Sequence, residues 1–280
     1  MQIVLCADDY GLAPGIGLAI RDLFDRGRLS ATSCICTFSD WPQEAALLKP
    51  YSGSVDIGLH LVFTDQTPLG QMPVLAPHGR LPSLRQLAMR SMMGNLPLDE
   101  IDAELERQWS QFEAELGCFP DHIDGHHHAH LLPGIAERVL SLVSRKAAGK
   151  TAIVTIGQGF SPWRRSKSFS RSIALLGFRF PEKVRRSGLC HNVGFSNFDA
   201  DTPSYFDSTF NRLRPGPAHV KCHPGRVDQA LLDRDSLTFE REREWQILVS
   251  PEFGGWLKSR SVGLARFHQI NSQSASDDTR

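Results

Sequence analysis

Long apolar runs are missing from this chain. Nowhere do about 18 apolar residues follow one another, the least that a membrane-spanning helix needs, so no span is expected. A net charge is missing too. The 31 basic and 31 acidic residues among 280 cancel, so overall charge gives no case for nucleic acid or for a lipid surface. Paired cysteine motifs are absent: Cys6, Cys34, Cys36, Cys118, Cys190 and Cys222 are scattered, with no C-x-x-C. That spacing argues against a disulfide-stapled scaffold or a cysteine zinc ribbon and fits packed, reduced thiols in a cytoplasmic protein. The opening residues MQIVLCADDYG lack a basic segment and a long apolar core, so no secretory signal is expected. Repeats and linkers are lacking as well. A single domain over residues 1–268 is expected, with the polar end 269–280 as a disordered tail.

What is present is an alternation. QIVLCA is a short apolar run bounded by DDYG and reads as a buried strand. Ile16, Ala19, Ile20, Leu23 and Phe24 follow at helical spacing, and Gly27 suits the helix end. SATSCICTF and SVDIGLHLVF read as further strands, with WPQEAALLKP between them as a short helix stopped by Pro50. Ile101, Leu105, Trp109, Phe112 and Leu116 mark one face of an amphipathic helix. DHIDGHHH, TAIVTI, GLCHNVGF, AHVKCHPG and VGLARF read as later strands. PGIAERVLSLVSRK, SYFDSTFNRL and FEREREWQILVSPEFGGWLKS read as helices. Strands alternating with helices point to a parallel sheet wrapped in helices, an α/β chain forming one distorted (β/α) barrel. Pro68, Pro73, Pro77 and Pro82 make residues 64–83 a long loop, and long loops in compact domains often serve function. The stretch 160–187 sets Arg164, Arg165, Lys167, Arg171, Arg179, Lys183, Arg185 and Arg186 against Glu182 alone. It reads either as a solvated basic surface or as contact with an anionic substrate or lipid headgroups.

The stretch HIDGHHHAH, residues 122–130, holds five of the 11 histidines. In α/β barrels the C-terminal ends of the strands share one rim, where sites are built. Asp8 and Asp9, His60, the histidine cluster and His223 all fall at such ends. If 122–130 is a strand, alternation sets His122, Asp124, His126, His128 and His130 on one face. His127 then points away, toward the helices, as a hydrogen-bonded core histidine. His122 and His130, at the ends of the stretch, read as structural. Imidazole and carboxylate suit zinc and related divalent ions, and three protein ligands leave room for water and substrate. Asp124 is placed to orient an imidazole from behind. The plainer alternative is a set of satisfied core histidines, with the Asp pair merely capping the next helix.

ADDYG at 7–11, GLHLVFT at 58–64, HIDGHHHAH at 122–130 and KCHPG at 221–225, with RGRLSATS after the first helix, carry a further signal. Together they resemble the YdjC-like family of carbohydrate deacetylases, which includes chitooligosaccharide deacetylases and proteins associated with hopanoid biosynthesis. The likeness spans nearly the whole chain and is weakest across 160–187. Tyr10 and Cys6 depart from the family pattern, where Phe and Asn are common, but neither is an expected ligand. The resemblance implies a distorted (β/α) barrel holding one divalent metal ion, magnesium or zinc, on Asp9, His60 and His126. Two imidazoles favour an ion softer than magnesium. It further implies Asp8 as catalytic base, His223 as the acid across the pocket, His128 beside the substrate, and a homodimer as the assembly. The reaction implied is hydrolysis of an N-acetyl group from an amino sugar, with release of acetate. Three alternatives stay open: a lipid-linked amino sugar such as a hopanoid glycolipid as substrate, a barrel that binds carbohydrate without catalysis, and a glycoside hydrolase. The last needs two carboxylates flanking a sugar bond, whereas Asp8 and Asp9 are adjacent and one is better spent on metal.

Overall fold

The computed structural model describes residues 1–147, 149–155, 180–192, 194–198 and 218–269. Its frame is an eight-stranded sheet in which every pairing is parallel. The strands are β1 (Gln2–Tyr10), β2 (Ala31–Cys34), β3 (Asp56–Leu61), β4 (His122–Gly125), β5 (Ala152–Ile153), β6 (Gly194–Asn197), β7 (Ala218–Cys222) and β8 (Gly263–Leu264). They run in the order β5-β4-β3-β2-β1-β7-β6, and β8 pairs with the start of β1. The sheet curls until its edges meet just ahead of β6. Ile153 bridges His191 there, and its N–H donates to the Cys190 carbonyl at 2.8 Å. The Asn192 side chain completes the seam, accepting from the Thr155 N–H at 2.7 Å and donating to the Thr155 carbonyl at 2.8 Å. A side-chain amide thus stands in for a strand's peptide group, and the (β/α) barrel is a distorted one.

Outside the sheet lie α1 (Pro14–Asp25), α2 (Trp41–Leu48), α3 (Leu84–Met92), α4 (Leu98–Leu116) and α5 (Ile135–Ala147), followed by Phe180–Arg186, Gln229–Arg234, Phe239–Val249 and Pro251–Ser259. The helical spacing read from the sequence is the spacing that is buried: Ile16, Ala19, Ile20, Leu23 and Phe24 in α1, and Ile101, Leu105, Trp109, Phe112 and Leu116 in α4. One expected helix is two. FEREREWQILVSPEFGGWLKS breaks at Ser250 because Pro251 has no N–H to continue the ladder. Ser250 instead caps the second piece, its Oγ accepting from the Phe253 N–H at 3.2 Å. The expected helix SYFDSTFNRL, most of the basic stretch and residues 270–280 lie outside the described residues. Of the basic stretch, Arg185 and Arg186 pair with Glu182, and Lys183 with Glu137.

Laterally paired residues share a face, so the registers identify the barrel interior. Cys6 lies level with Ala31 and Lys221, Ser33 with Gly58, and His60 with Asp124. Gly58 is required here: a Cβ on it would stand 2.3 Å from the His122 ring. Phe267 closes the lower end, its ring 4.7 Å from His122 and 5.6 Å from His219. Burial pushes His122 below the ordinary imidazole range and His219 down to about 3. Both are neutral rings filling the barrel, which bears out the structural reading of His122. The upper end, where the strands finish, is polar.

Candidate active site

Asp8 and Asp9 follow each other in β1, where regular alternation would send them to opposite faces. The backbone prevents this. Asp9 has φ +70°, and the register between β1 and β2 slips between Ala7 and Tyr10. This bulge keeps both carboxylates at the top of the barrel. They do not cap α1, whose N-cap is Ala13 with no side-chain hydrogen bond, so the plain capping alternative fails.

The histidine stretch also departs from a strand. β4 ends at Gly125, and residues His126–Leu131 turn over in 3-10 fashion, with φ +54° at His127 and +59° at His128. The expected single face for His122, Asp124, His126, His128 and His130 is therefore corrected. Only His122 and Asp124 hold strand positions. His126 reaches the site from the turn, its Nδ1 3.0 Å from Asp9 Oδ1. His127 is not a core histidine: it is exposed, hydrogen-bonds Thr64 at 2.9 Å and faces Asp65 at 3.7 Å. His128 is half-buried, edge-on to Phe195 and beside His130, and burial, then the charges of Lys221, His130, His60 and His223, hold it well below the usual imidazole range. His130 is buried, with Nε2 3.0 Å from the Val154 carbonyl, as its structural reading requires.

His60, at the end of β3, is the hub. Its Nδ1 lies 2.6 Å from Asp124 Oδ1 and 3.1 Å from Ser33 Oγ, while Nε2 lies 3.3 Å from Asp9 Oδ1. Burial works against charge on this ring, but Asp124 and Asp9 outweigh it and lift its pKa to about 10. Without a cation, the ring carries a proton between two carboxylates. Burial likewise pushes Asp9 upward, and Arg241 and His126 more than reverse it, holding Asp9 well below the usual range. Arg241, itself 1% exposed, donates to Asp9 Oδ2 and to Asp235 Oδ2, both at 2.6 Å.

One atom each from Asp9, His60 and His126 lies within 4.8 Å of the others, a spacing that a single ion can bridge, and the same holds for Asp8, His60 and Asp124. The first set fits a divalent ion better. With Nδ1 donating to Asp124, the Nε2 lone pair of His60 is left to face Asp9 and His126, and a carboxylate behind the ring fixes that tautomer. Two imidazoles and a carboxylate form an ordinary donor set for such an ion.

Asp8 stands beside this set. Ser33 Oγ donates to its Oδ1 at 3.3 Å, and Lys221 Nζ lies 3.4 Å from its Oδ2. Burial raises Asp8 to about 6 against the pull of Lys221. The group is thus a carboxylate at neutral pH with unusual basicity. His223 Nε2 is 3.9 Å from the same Oδ2, and the His223 backbone N–H donates to Glu244 at 2.6 Å. Burial and then Lys221 hold His223 well below the usual imidazole range, so its resting ring is neutral. The candidates Asp8, Asp9, His60, His126, Asp124 and His223 therefore share one rim, with the His128 ring against Phe195 and His130. Arg241, Asp235, Glu244, Ser33 and Lys221 were not singled out from sequence. Lys221 had a usable signal, since it alternates with His219 and His223 on one strand face. Arg241 looked like any other charge in FEREREW.

Chitooligosaccharide deacetylases of Yersinia pestis (strain Pestoides F) and of Yersinia pseudotuberculosis serotype O:1b are each 30% identical to the chain over 268 residues, covering 95% of it and 97% of their own length. A solved structure from Enterococcus faecalis V583, named for a proposed role in cellobiose-phosphate cleavage, superposes with a TM-score of 0.75 at 19% identity. It covers 96% of this chain and 98% of its own, and shows that the fold is shared. A family model described as YdjC-like protein matches residues 2–259, and the chain belongs to that family.

Proposed function

We propose that this chain, a carbohydrate deacetylase, hydrolyses the N-acetyl group of an N-acetylglucosamine unit with the aid of one divalent ion, releasing acetate and a free amine. The observation that carries the reading is the pairing of Asp8 with Asp9. Two consecutive carboxylates turn into one rim, one against two imidazoles and the other beside them with raised basicity. The relatives named chitooligosaccharide deacetylases support the choice of substrate class.

Asp9, His60 and His126 would hold the ion. When bound, such an ion polarises an acyl carbonyl and acidifies water. Asp124 keeps His60 in the tautomer that frees Nε2, and Arg241 keeps Asp9 ionised. Asp8 takes the proton of the attacking water as the new C–O bond forms, a task for which a base near pKa 6 is suited at neutral pH. The C–N bond then breaks, and its nitrogen must gain a proton. His223 is neutral at rest, so it can act as the acid only with the proton that Asp8 has just captured 3.9 Å away. Asp8 and His223 thus work in sequence. His128 lines the approach from the Phe195 side, where it can touch the sugar.

The test is acetate release from a panel of soluble and lipid-linked N-acetylglucosamine compounds, with and without chelator. Chelator should abolish release, and Asp8→Asn should retain bound metal while losing on the order of a hundredfold or more in rate. Reducing ends appearing in place of acetate, or an Asp8→Asn variant as fast as the parent, would overturn the reading.

A further inference from the structure

We propose that the outer face of α3, with the loop leading into it, docks this chain onto an anionic membrane surface. This goes beyond deacetylation and does not depend on it. Between Asp65 and Asp99 the sequence has no acidic residue, while Arg80, Arg85 and Arg90 supply positive charge. The same stretch carries Val74, Met89, Met92 and Met93 with 56%, 47%, 59% and 65% of their surface exposed. Arg85, Met89 and Met92 lie about one turn apart on α3, on the side opposite the buried Leu87. A helix that presents methionines and arginines together suits the boundary between headgroups and acyl chains, where apolar bodies sink and guanidinium groups meet phosphate.

The neighbouring carboxylates are occupied. Glu100 accepts from the Val74 and Leu75 N–H groups at 2.8 and 2.9 Å. Glu104 accepts from Leu69 and Gly70 and pairs with Arg107. Asp65 faces His127. Asp99, exposed at the start of α4, marks the edge of the face. Arg90 donates to the Val74 carbonyl at 2.9 Å and so fixes Val74 on the rim, leaving Arg80 and Arg85 exposed. A second copy of the chain is the less suitable occupant: a two-fold contact through this face would bring like-charged arginines together, with acids only at its edges, Asp65 near Arg80 and Asp99 at the start of α4. The face also adjoins the active site. Ser91 Oγ donates to the Pro133 carbonyl just past the histidine turn, and Thr64 and His127 join the loop to that turn. Docking there brings the rim that carries the site close to the lipid surface.

The experiment is co-sedimentation of the full chain with phosphatidylcholine vesicles, with and without phosphatidylglycerol. The parent should pellet with the anionic vesicles and be released by salt. A Met89→Ser/Met92→Ser/Met93→Ser variant, and separately Arg80→Gln/Arg85→Gln, should each weaken partitioning about tenfold or more at unchanged thermal midpoint. A parent that stays in the supernatant would overturn the proposal, as would variants that pellet like the parent. So would a dimer that dissociates on the methionine substitutions, since that would make the face a self-association surface.

Discussion

Single residues here do work that their neighbours in a regular element could not share. Asp9 adopts a left-handed φ that costs a non-glycine residue roughly 1–2 kcal/mol, and the result is a second carboxylate at the rim where alternation allows one. His127 and His128 do the same for His126, turning the chain so that its ring meets Asp9. Tyr10, which departs from the family pattern, is absorbed by its surroundings: its buried hydroxyl donates to the Glu44 carbonyl and accepts from Arg21. Asp124 touches neither Asp9 nor His126, yet it decides which nitrogen of His60 is free. Replacing Asp124 by Asn removes the charge that fixes this tautomer. Metal affinity, read by titration of the chelated protein, should fall roughly 10–100-fold. Unchanged affinity would mean that His60 is oriented by Ser33 alone.

At the scale of elements, α4 holds the long loop in place. Glu100, Glu104 and Gln108 recur every fourth residue on one face, and each binds backbone of the segment 62–75. Gln108, 1% exposed, accepts from the Val62 N–H and donates to the Val62 carbonyl, so a buried side chain satisfies both peptide groups just beyond β3. Gln108→Leu leaves both groups without a partner and should cost on the order of 2–4 kcal/mol, seen as a lower denaturant midpoint. A loss below about 0.5 kcal/mol would show that the segment finds other partners. This arrangement also explains what could be read in advance. The strand starts and the buried stripes of α1 and α4 follow from which residues must leave water, and periodicity records that. The bulge at Asp9, the turn after Gly125 and the break at Ser250 depend on local backbone energies that no hydrophobic period carries. Strand ends alone still marked Asp8 and Asp9, His60, the histidine cluster and His223, and the family resemblance narrowed the expected ligands to Asp9, His60 and His126. Arg241 and Glu244 were not marked, because they come from a late helix that only the closed barrel brings to the rim.

On the scale of the whole molecule, the barrel brings its last helices back against its first strand, and that return sets the charge balance of the site. Arg241 reaches Asp9 and Glu244 reaches the backbone of His223 across 232 and 21 residues of sequence. The contact at Glu244 comes with a pH-dependent penalty. Burial raises its carboxyl to about 7 from an ordinary 4.5, despite the opposing pull of the His223 N–H, Arg241 and Lys221. The folded state therefore holds the Glu244 proton more tightly than the unfolded chain does. Below pH 4.5 both states are protonated and the group is neutral in its effect. As pH rises from 4.5 toward 7, the unfolded chain releases the proton first, so this group's contribution to stability falls, and the penalty is complete above about 7. Its size is on the order of 3–4 kcal/mol. Glu244→Gln keeps an oxygen for the His223 N–H and has no proton to lose. With chelator present to keep cations out of the adjoining site, the variant should match the parent in denaturant midpoint near pH 4.5 and exceed it increasingly toward pH 8. A constant difference across that range would show that Glu244 is ionised throughout and that Arg241 and Lys221 outweigh its burial.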